Sequence, residues 1–351
     1  MDKVRLASVG LGRWSQVLAR GAQRGEIVEL YSCFSRNEER RNAFMAEYGI
    51  ERCASSYEEL LADPDVEGIV ITTPNDTHRE LIVQALEAGK PVYTDKPIAQ
   101  TLEDAVAIRN AVTASGLPFA VGHSARRLSG NRVIKQRIDD GTLGGVTIAE
   151  ANFSNERGLE LTPETWRWYL DKTPGGPLIQ LGVHHADNLQ YLLGPVAAVS
   201  GLQRKLFTKS EVPDATMTLL EFESGALGYL GCGWASPGIY QIRVQGTKQN
   251  MMYDLDFSHW DESHEADAQS SLVSQEYGQV SRTPVELPAT DMFREQLEEF
   301  GLAIRGEGTV EVGVDEAIRA LAVVHTAIES NLMGGKQVEV APFLETLGVT
   351  K

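Results

Sequence analysis

The sequence predicts an α/β N-terminal domain with a parallel sheet, followed by an α+β C-terminal domain with a large open, mainly antiparallel sheet. Three observations predict it. Short apolar runs alternate with helical stretches through the first third of the chain. That rhythm stops after Gly122-His123-Ser124. Beyond it, strand-like runs follow one another, some separated by turn signals such as Glu223-Ser224-Gly225. The boundaries read as 1–122 and 123–351, with a C-terminal helix free to pack back on the first domain. A chain of 351 residues is long enough for two cores.

Composition narrows the function. A net charge of −17 argues against a nucleic-acid backbone or an anionic membrane as partner, though not against a local basic pocket. The three cysteines, Cys33, Cys53 and Cys232, form no C-x-x-C pair, so neither a disulfide framework nor a zinc site is expected. No apolar run is long enough to span a bilayer, and Met1-Asp2-Lys3-Val4 shows no signal-peptide core. A cytoplasmic protein is expected.

Taken in order, residues 4–9 form a strand that runs into Gly10-Leu11-Gly12-Arg13-Trp14-Ser15. This is strand, glycine turn, helix. Gly10 permits the turn, and Gly12 lets the backbone approach a pyrophosphate seated on the helix N-terminus, beside Arg13 and Trp14. Ser15 is small enough for close helix–strand packing. Strands follow at 28–34, 68–72, 91–94 and 119–121, with helices at 38–48, 77–88 and 102–114. Ser56 and Glu59 form a capping box that opens one more helix. Strands alternating with helices make this a Rossmann domain, with its ligand crevice at the carboxyl ends of the strands.

Those strand ends supply the candidates. After the second strand comes Ser35-Arg36, with no acid to take a ribose 2′-hydroxyl. Ser35 and Arg36 suit a 2′-phosphate, hence NADP before NAD. The plainer reading has Ser35 capping the next helix with Glu38, and Arg36 solvated. After the fourth strand, Thr73, Pro74 and Asn75 shape a turn near the nicotinamide ribose, and His78 is either a ligand or a first-turn helix residue. After the fifth come Asp95-Lys96-Pro97, a candidate catalytic lysine or a surface ion pair.

In the second domain, the Gly175-Gly176-Pro177 turn feeds a helix on which Gln180, His184 and Asp187 fall at spacings of four and three, sharing one face. Such a row suits proton transfer, or a satisfied core histidine. A helix is expected near 131–138, strands at 146–154, 196–204, 215–222, 226–233 and 239–245, and helices at 292–304 and 315–331. The open sheet needs a cover on its far face, so a second copy of the chain is expected. Arg126, Arg127, Asn155, Glu156, Arg157, Trp166 and Arg167 are candidates for a substrate pocket, or rim ion pairs. His259-Trp260-Asp261-Glu262-Ser263-His264-Glu265 has metal-ligand residue types in a polar stretch reaching Gly278, and reads as a solvated loop with no metal.

The glycine turn, Asp95-Lys96-Pro97 after Thr73-Pro74-Asn75, and the 175–187 helix together resemble the Gfo/Idh/MocA family of glucose–fructose oxidoreductases and inositol dehydrogenases. The likeness spans nearly the whole chain, including the closing helix and the Gly335-Lys336-Gln337-Val338 turn. It implies hydride transfer between a nicotinamide, held also by Asp95 and Lys96, and a secondary alcohol or ketone of a sugar, polyol or related ring. Lys96 matches the family's catalytic lysine. The family's Asp and His four residues apart map onto Gln180 and His184. Asp95 replaces a Glu, which keeps the charge. Gln180 replaces an Asp, which does not, so either Lys96 and His184 suffice or Asp187 or His185 substitutes. Two alternatives stay open: a dinucleotide-binding sensor without turnover, and a cis-dihydrodiol dehydrogenase.

Overall fold

The computed structural model describes residues 2–256 and 268–346, so the 259–265 run lies outside the described residues. The chain divides into two compact units, Met1–Ser124 with Asp291–Ile318, and Ala125–Thr290 with Arg319–Lys351.

The first unit is a six-stranded parallel sheet of order β3-β2-β1-β4-β5-β6. Its strands are β1 (Val4–Val9), β2 (Val28–Phe34), β3 (Arg52–Cys53), β4 (Gly68–Ile71), β5 (Val92–Asp95) and β6 (Phe119–Gly122). Helices α1 (Arg13–Arg24), α2 (Glu38–Tyr48), α3 (Tyr57–Ala62), α4 (His78–Glu87) and α5 (Leu102–Ser115) connect them. β1 and β4 are buried almost throughout, as strands covered on both faces must be. The strand order reverses between β1 and β4, which makes their carboxyl ends the ligand crevice.

The sequence reading sets the second domain at 123–351 with a C-terminal helix free to pack back on the first. In the structure the segment 291–318 belongs to the first unit. Its helix Met292–Ile304 buries Phe293 and Phe300 completely. Glycine makes that contact possible: a Cβ on Gly21 would lie 3.1 Å from the Phe293 backbone. The Arg24 guanidinium grips Asp291 at 2.6 and 2.9 Å, and Asp291 caps the helix by accepting from the Arg294 N–H.

The second unit is built on nine strands of order β14-β13-β12-β11-β7-β10-β9-β8-β15. These are β7 (Val146–Ser154), β8 (Val196–Arg204), β9 (Ala215–Phe222), β10 (Leu227–Gly233), β11 (Ile239–Gly246), β12 (Gln249–Asp254), β13 (Ser271–Glu276), β14 (Thr283–Pro284) and β15 (Val338–Glu339). All neighbours pair antiparallel except β7 and β10. Its helices include α6 (Ser129–Asp139), α7 (Arg157–Glu160) and α8 (Val183–Leu193). One sheet face packs on the segment carrying His184: Gly182 is tight enough that a Cβ would meet Cys232 Sγ at 2.8 Å. β13 corrects the expectation of a loop reaching Gly278. Its Leu272 and Ser274 are buried while Ser271, Val273, Gln275 and Glu276 are half-buried or exposed, the alternation of a half-buried strand.

Candidate functional site

In the first unit, the turn after β1 is shaped by two glycines with different duties. Gly10 has φ +89°, and a Cβ there would lie 2.6 Å from Thr73 Cγ2 and 2.9 Å from Thr73 N. Only glycine fits. Gly12 has an ordinary φ of −96°, and a Cβ there would meet nothing within 4 Å. The open space lies at the start of α1, whose first turn carries no acidic residue and whose cap makes no side-chain hydrogen bond. Ser15 is buried, and its hydroxyl donates to the Gly12 carbonyl at 2.7 Å. Arg13 is exposed. The Trp14 ring stands edge-on to Phe293 at 5.2 Å, with its Nε1 buried and no hydrogen-bond partner among the described residues.

After β4, Thr72 Oγ1 donates to the Gly10 carbonyl at 2.6 Å and locks this turn to the first. Thr77 Oγ1 lies 2.7 Å from both Thr73 Oγ1 and the Pro74 carbonyl. Asn75 is buried, and its Nδ2 finds no partner among the described residues. Such an orphaned donor beside an open glycine fits a ligand rich in acceptors, as a dinucleotide is.

His78 is corrected as a cofactor ligand. It is 1 % exposed, with Nε2 3.0 Å from the Thr73 carbonyl and Nδ1 3.1 and 3.3 Å from the carbonyls of Pro97 and Ile98. The ring braces the turns after β4 and β5 against each other, and burial pushes its pKa down. Asp95 and Lys96, half-buried, close β5 beside that brace.

After β2, the expected Ser35 cap is also corrected. Asn37 caps α2, its side chain accepting from the Arg40 N–H at 2.9 Å. Ser35 Oγ accepts weakly from the Asn37 N–H, and its carbonyl accepts from Arg41 Nη1 at 2.6 Å. The Ser35 hydroxyl is therefore spared a helix cap, and Arg36 is exposed. The nearest acids, Glu38 and Glu39, lie in the first turn of α2.

In the second unit, the expected single helix is two elements. Leu178–Gly182 is a π-turn, and α8 begins at Val183. A π-turn closes on the fifth residue, so the four-residue spacing from Gln180 to His184 no longer means one face. Gln180 Oε1 accepts from Arg167 Nε at 3.2 Å, and the Arg167 guanidinium stacks on Trp166 at 4.2 Å. Asp187 is gripped by Arg126 through two hydrogen bonds of 2.6 and 2.7 Å, both side chains buried. Asp187 thus already has its cation. His184 is 3 % exposed, its ring 5.4 Å from that of Phe153. His185 is fully buried against Tyr240, ring centroids 4.6 Å apart, and burial pushes its pKa down to about 4. Of the two residues the sequence offers in place of a carboxylate, Asp187 thus holds Arg126 and His185 packs on Tyr240. Asn155 is spent locally, its side chain accepting from the Arg157 N–H that opens α7. Arg157 is half-buried and Arg127 buried.

Sequence reasoning missed the polar knot beneath this region. Tyr240 OH accepts from Asn131 Nδ2 and Asn188 Nδ2, each at 2.9 Å. The partners are 109 and 52 residues apart, and no local pattern signals them.

Among the described residues, no cluster of His, Cys, Asp and Glu could hold a metal ion, and no helix is long and apolar enough to cross a membrane. Residues 4–123 match the family model described as "Oxidoreductase family, NAD-binding Rossmann fold", and residues 131–252 the "GFO/IDH/MocA C-terminal domain". The chain is 30% identical to scyllo-inositol 2-dehydrogenase (NAD(+)) of Bacillus subtilis over 69% of this chain and 71% of that protein. It is 28% identical to 1,5-anhydro-D-fructose reductase of Ensifer adhaerens over 88% and 91%. A crystal structure described as a putative NADPH-dependent oxidoreductase from Desulfitobacterium hafniense superposes with a TM-score of 0.95, at 42% identity, covering 98% of this chain and 99% of that one.

Proposed function

Because the chain belongs to the Gfo/Idh/MocA family of NAD-binding oxidoreductases, we propose that it is a cytoplasmic, NADP-preferring dehydrogenase or reductase. Its substrate is a secondary alcohol or ketone of a sugar, polyol or related ring. The observation that carries the dinucleotide reading is the open Gly12 at the acid-free start of α1, with the orphaned Asn75 Nδ2 in the neighbouring strand-end turn. Gly10, Gly12, Arg13, Trp14 and Ser15 hold the pyrophosphate side, and Thr73, Pro74, Asn75 and Asp95 the nicotinamide side.

The preference for NADP rests on the β2 end, where Ser35 and Arg36 replace the acid that would select a free ribose hydroxyl. The 42% identical relative described as NADPH-dependent supports it. Arg36→Ala then weakens NADPH binding by about ten- to a hundredfold, the value of a hydrogen bond to a charged group, and leaves NADH binding unchanged. Equal losses for both dinucleotides would refute the assignment.

When bound, the nicotinamide accepts or supplies the hydride. His184 takes the hydroxyl proton in oxidation and returns it in reduction. Lys96 donates a hydrogen bond to the oxygen as negative charge develops there. Arg167, Trp166, Gln180 and Arg157 orient the substrate's hydroxyls. An absorbance screen at the reduced-nicotinamide band, with NADP and NAD against sugars, inositols and cyclic diols, tests the whole reading. Turnover on a sugar or polyol is expected. Lys96→Ala and His184→Ala should each lower kcat about a hundredfold or more and leave dinucleotide affinity nearly unchanged. NADP binding with turnover on none of the panel would favour a sensor instead.

A homodimer or homotetramer through the open sheet belongs to the same proposal. Leu202, Met217, Leu219 and Leu227 are 45–61 % exposed on adjacent strands.

A further inference from the structure

Cys33 and Cys53 stand directly opposite each other in the parallel β2–β3 pair. The Ala54 N–H donates to the Cys33 carbonyl at 3.1 Å and fixes that register. Side chains of directly opposed residues leave the same face of a sheet, and adjacent strands run about 4.8 Å apart. A disulfide spans Cα atoms about 4.4–6.8 Å apart, a range that includes the spacing of paired strands. The two thiols differ in surroundings. Cys33 is fully buried in a cluster with Leu11, Ala19, Phe44 and Ile50. Cys53 is exposed on a two-residue edge strand.

We propose that Cys33 and Cys53 are a reversible redox pair that couples oxidant exposure to dinucleotide binding. A peroxide is the oxidant. The Cys53 thiolate attacks one peroxide oxygen, giving Cys53 sulfenic acid and releasing hydroxide, which becomes water on protonation. The Cys33 sulfur then attacks the sulfenic sulfur, forming the S–S bond and expelling the oxygen as a second water. Two thiols lose two electrons and two protons in all, and the peroxide is reduced to two waters. Burial, and after it the neighbouring Cys53, hold the Cys33 thiol up at about 12. Cys53 is therefore the group that meets the oxidant, and Cys33 the one that resolves.

The consequence follows from what Cys33 packs against. Leu11 lies between Gly10 and Gly12, so the Cys33 cluster is the floor of the glycine turn. Drawing the Cys33 sulfur toward β3 removes contacts from that floor, and close-packed cores transmit such shifts. The oxidised protein binds dinucleotide several-fold more weakly. This second half rests on the dinucleotide-binding reading. The covalent half does not.

The test treats the full chain with hydrogen peroxide and digests it with trypsin without reduction. Cleavage places Cys33 on residues 25–36 and Cys53 on residues 53–79. A linked pair of these peptides is expected. It should be lost on adding dithiothreitol, absent in Cys53→Ser, and retained in Cys232→Ser. Titration with NADPH and NADH should show a several-fold higher Kd after oxidation, restored by reductant, with Cys53→Ser insensitive. Oxidation that stops at a Cys53 sulfinic acid, or that links two chains through Cys53, overturns the pair. A quantitative intramolecular link with unchanged Kd overturns the coupling. Because the link is read by mass, its absence is distinct from any failure of the dinucleotide reading.

Discussion

Gln180 is the residue on which the chemistry of this chain turns. The family resemblance maps an aspartate onto it, and its side-chain carbonyl oxygen accepts from Arg167 Nε as a carboxylate would. Restoring the acid tests what that neutrality does. In Gln180→Asp the carboxylate strengthens the bond to Arg167 and, where it faces His184, favours the charged imidazolium. The His184 pKa rises. His184 must be neutral to accept a proton, so the acid limb of the oxidation profile moves to higher pH. An unmoved limb, with kcat reduced, would mean that residue 180 only orients substrate. The neighbouring His185 gives a second prediction. Its folded pKa of about 4 lies below the ordinary 6.5, because burial penalises the charged form. Above 6.5 both folded and unfolded states are neutral there, and nothing is lost. Between 6.5 and 4 only the unfolded chain takes up the proton, so stability falls as pH falls, by at most about 3 kcal/mol. His185→Gln should therefore flatten the drop in urea midpoint between pH 7 and pH 5. An equal drop in both proteins would mean that other groups set the acid sensitivity.

At the scale of elements, the two glycines after β1 predict opposite outcomes. Gly12→Ala adds a methyl to empty space at an ordinary φ, so the thermal midpoint should change little. Dinucleotide affinity should fall at least about tenfold, because the methyl takes the space the pyrophosphate needs. Gly10→Ala forces a side chain into a φ of +89° and into Thr73, and should cost about 1–3 kcal/mol of stability before binding is measured. Gly12→Ala with unaltered affinity would remove the pyrophosphate from this turn. The same elements show what was legible. The first unit's strands and helices could be read closely, because a short, continuous apolar run between glycine turns suits a buried parallel strand and little else. β12 and β13 were not, since polar residues equal the apolar ones in Gln249–Asp254 and outnumber them in Ser271–Glu276, beside a polar stretch. The π-turn was invisible for another reason. The residues from Leu178 to Gly182 suit an ordinary helix, and nothing in their order signals the widened turn. The Arg126–Asp187 grip was equally hidden: both residues could be named as candidates, but nothing in the chain's order pairs groups 61 residues apart.

At the scale of the molecule, the far face of the nine-stranded sheet sets the last test. The register lines up Leu202 with Met217, Leu219 with Tyr229, and Leu227 with Ile148 across four neighbouring strands. These are rows, not scattered residues, and Met217 and Leu219 are more than half exposed. Contiguous apolar rows of this kind seldom face water in a monomer, and each such side chain contributes about 2 kcal/mol when covered. Tyr229, Glu150 and Arg243 adjoin the rows in successive strands and give the patch a polar flank. A second copy of the chain supplies a matching face by symmetry, since an isologous contact uses the same patch twice. The wild-type protein should therefore scatter light as a dimer or larger. Leu219→Glu places a charge at the centre of the rows without touching the opposite, core face, where Leu220 is buried. It should lower the assembly mass and leave the far-UV circular dichroism unchanged. A wild-type monomer at micromolar concentration would mean that this face is covered by something other than itself.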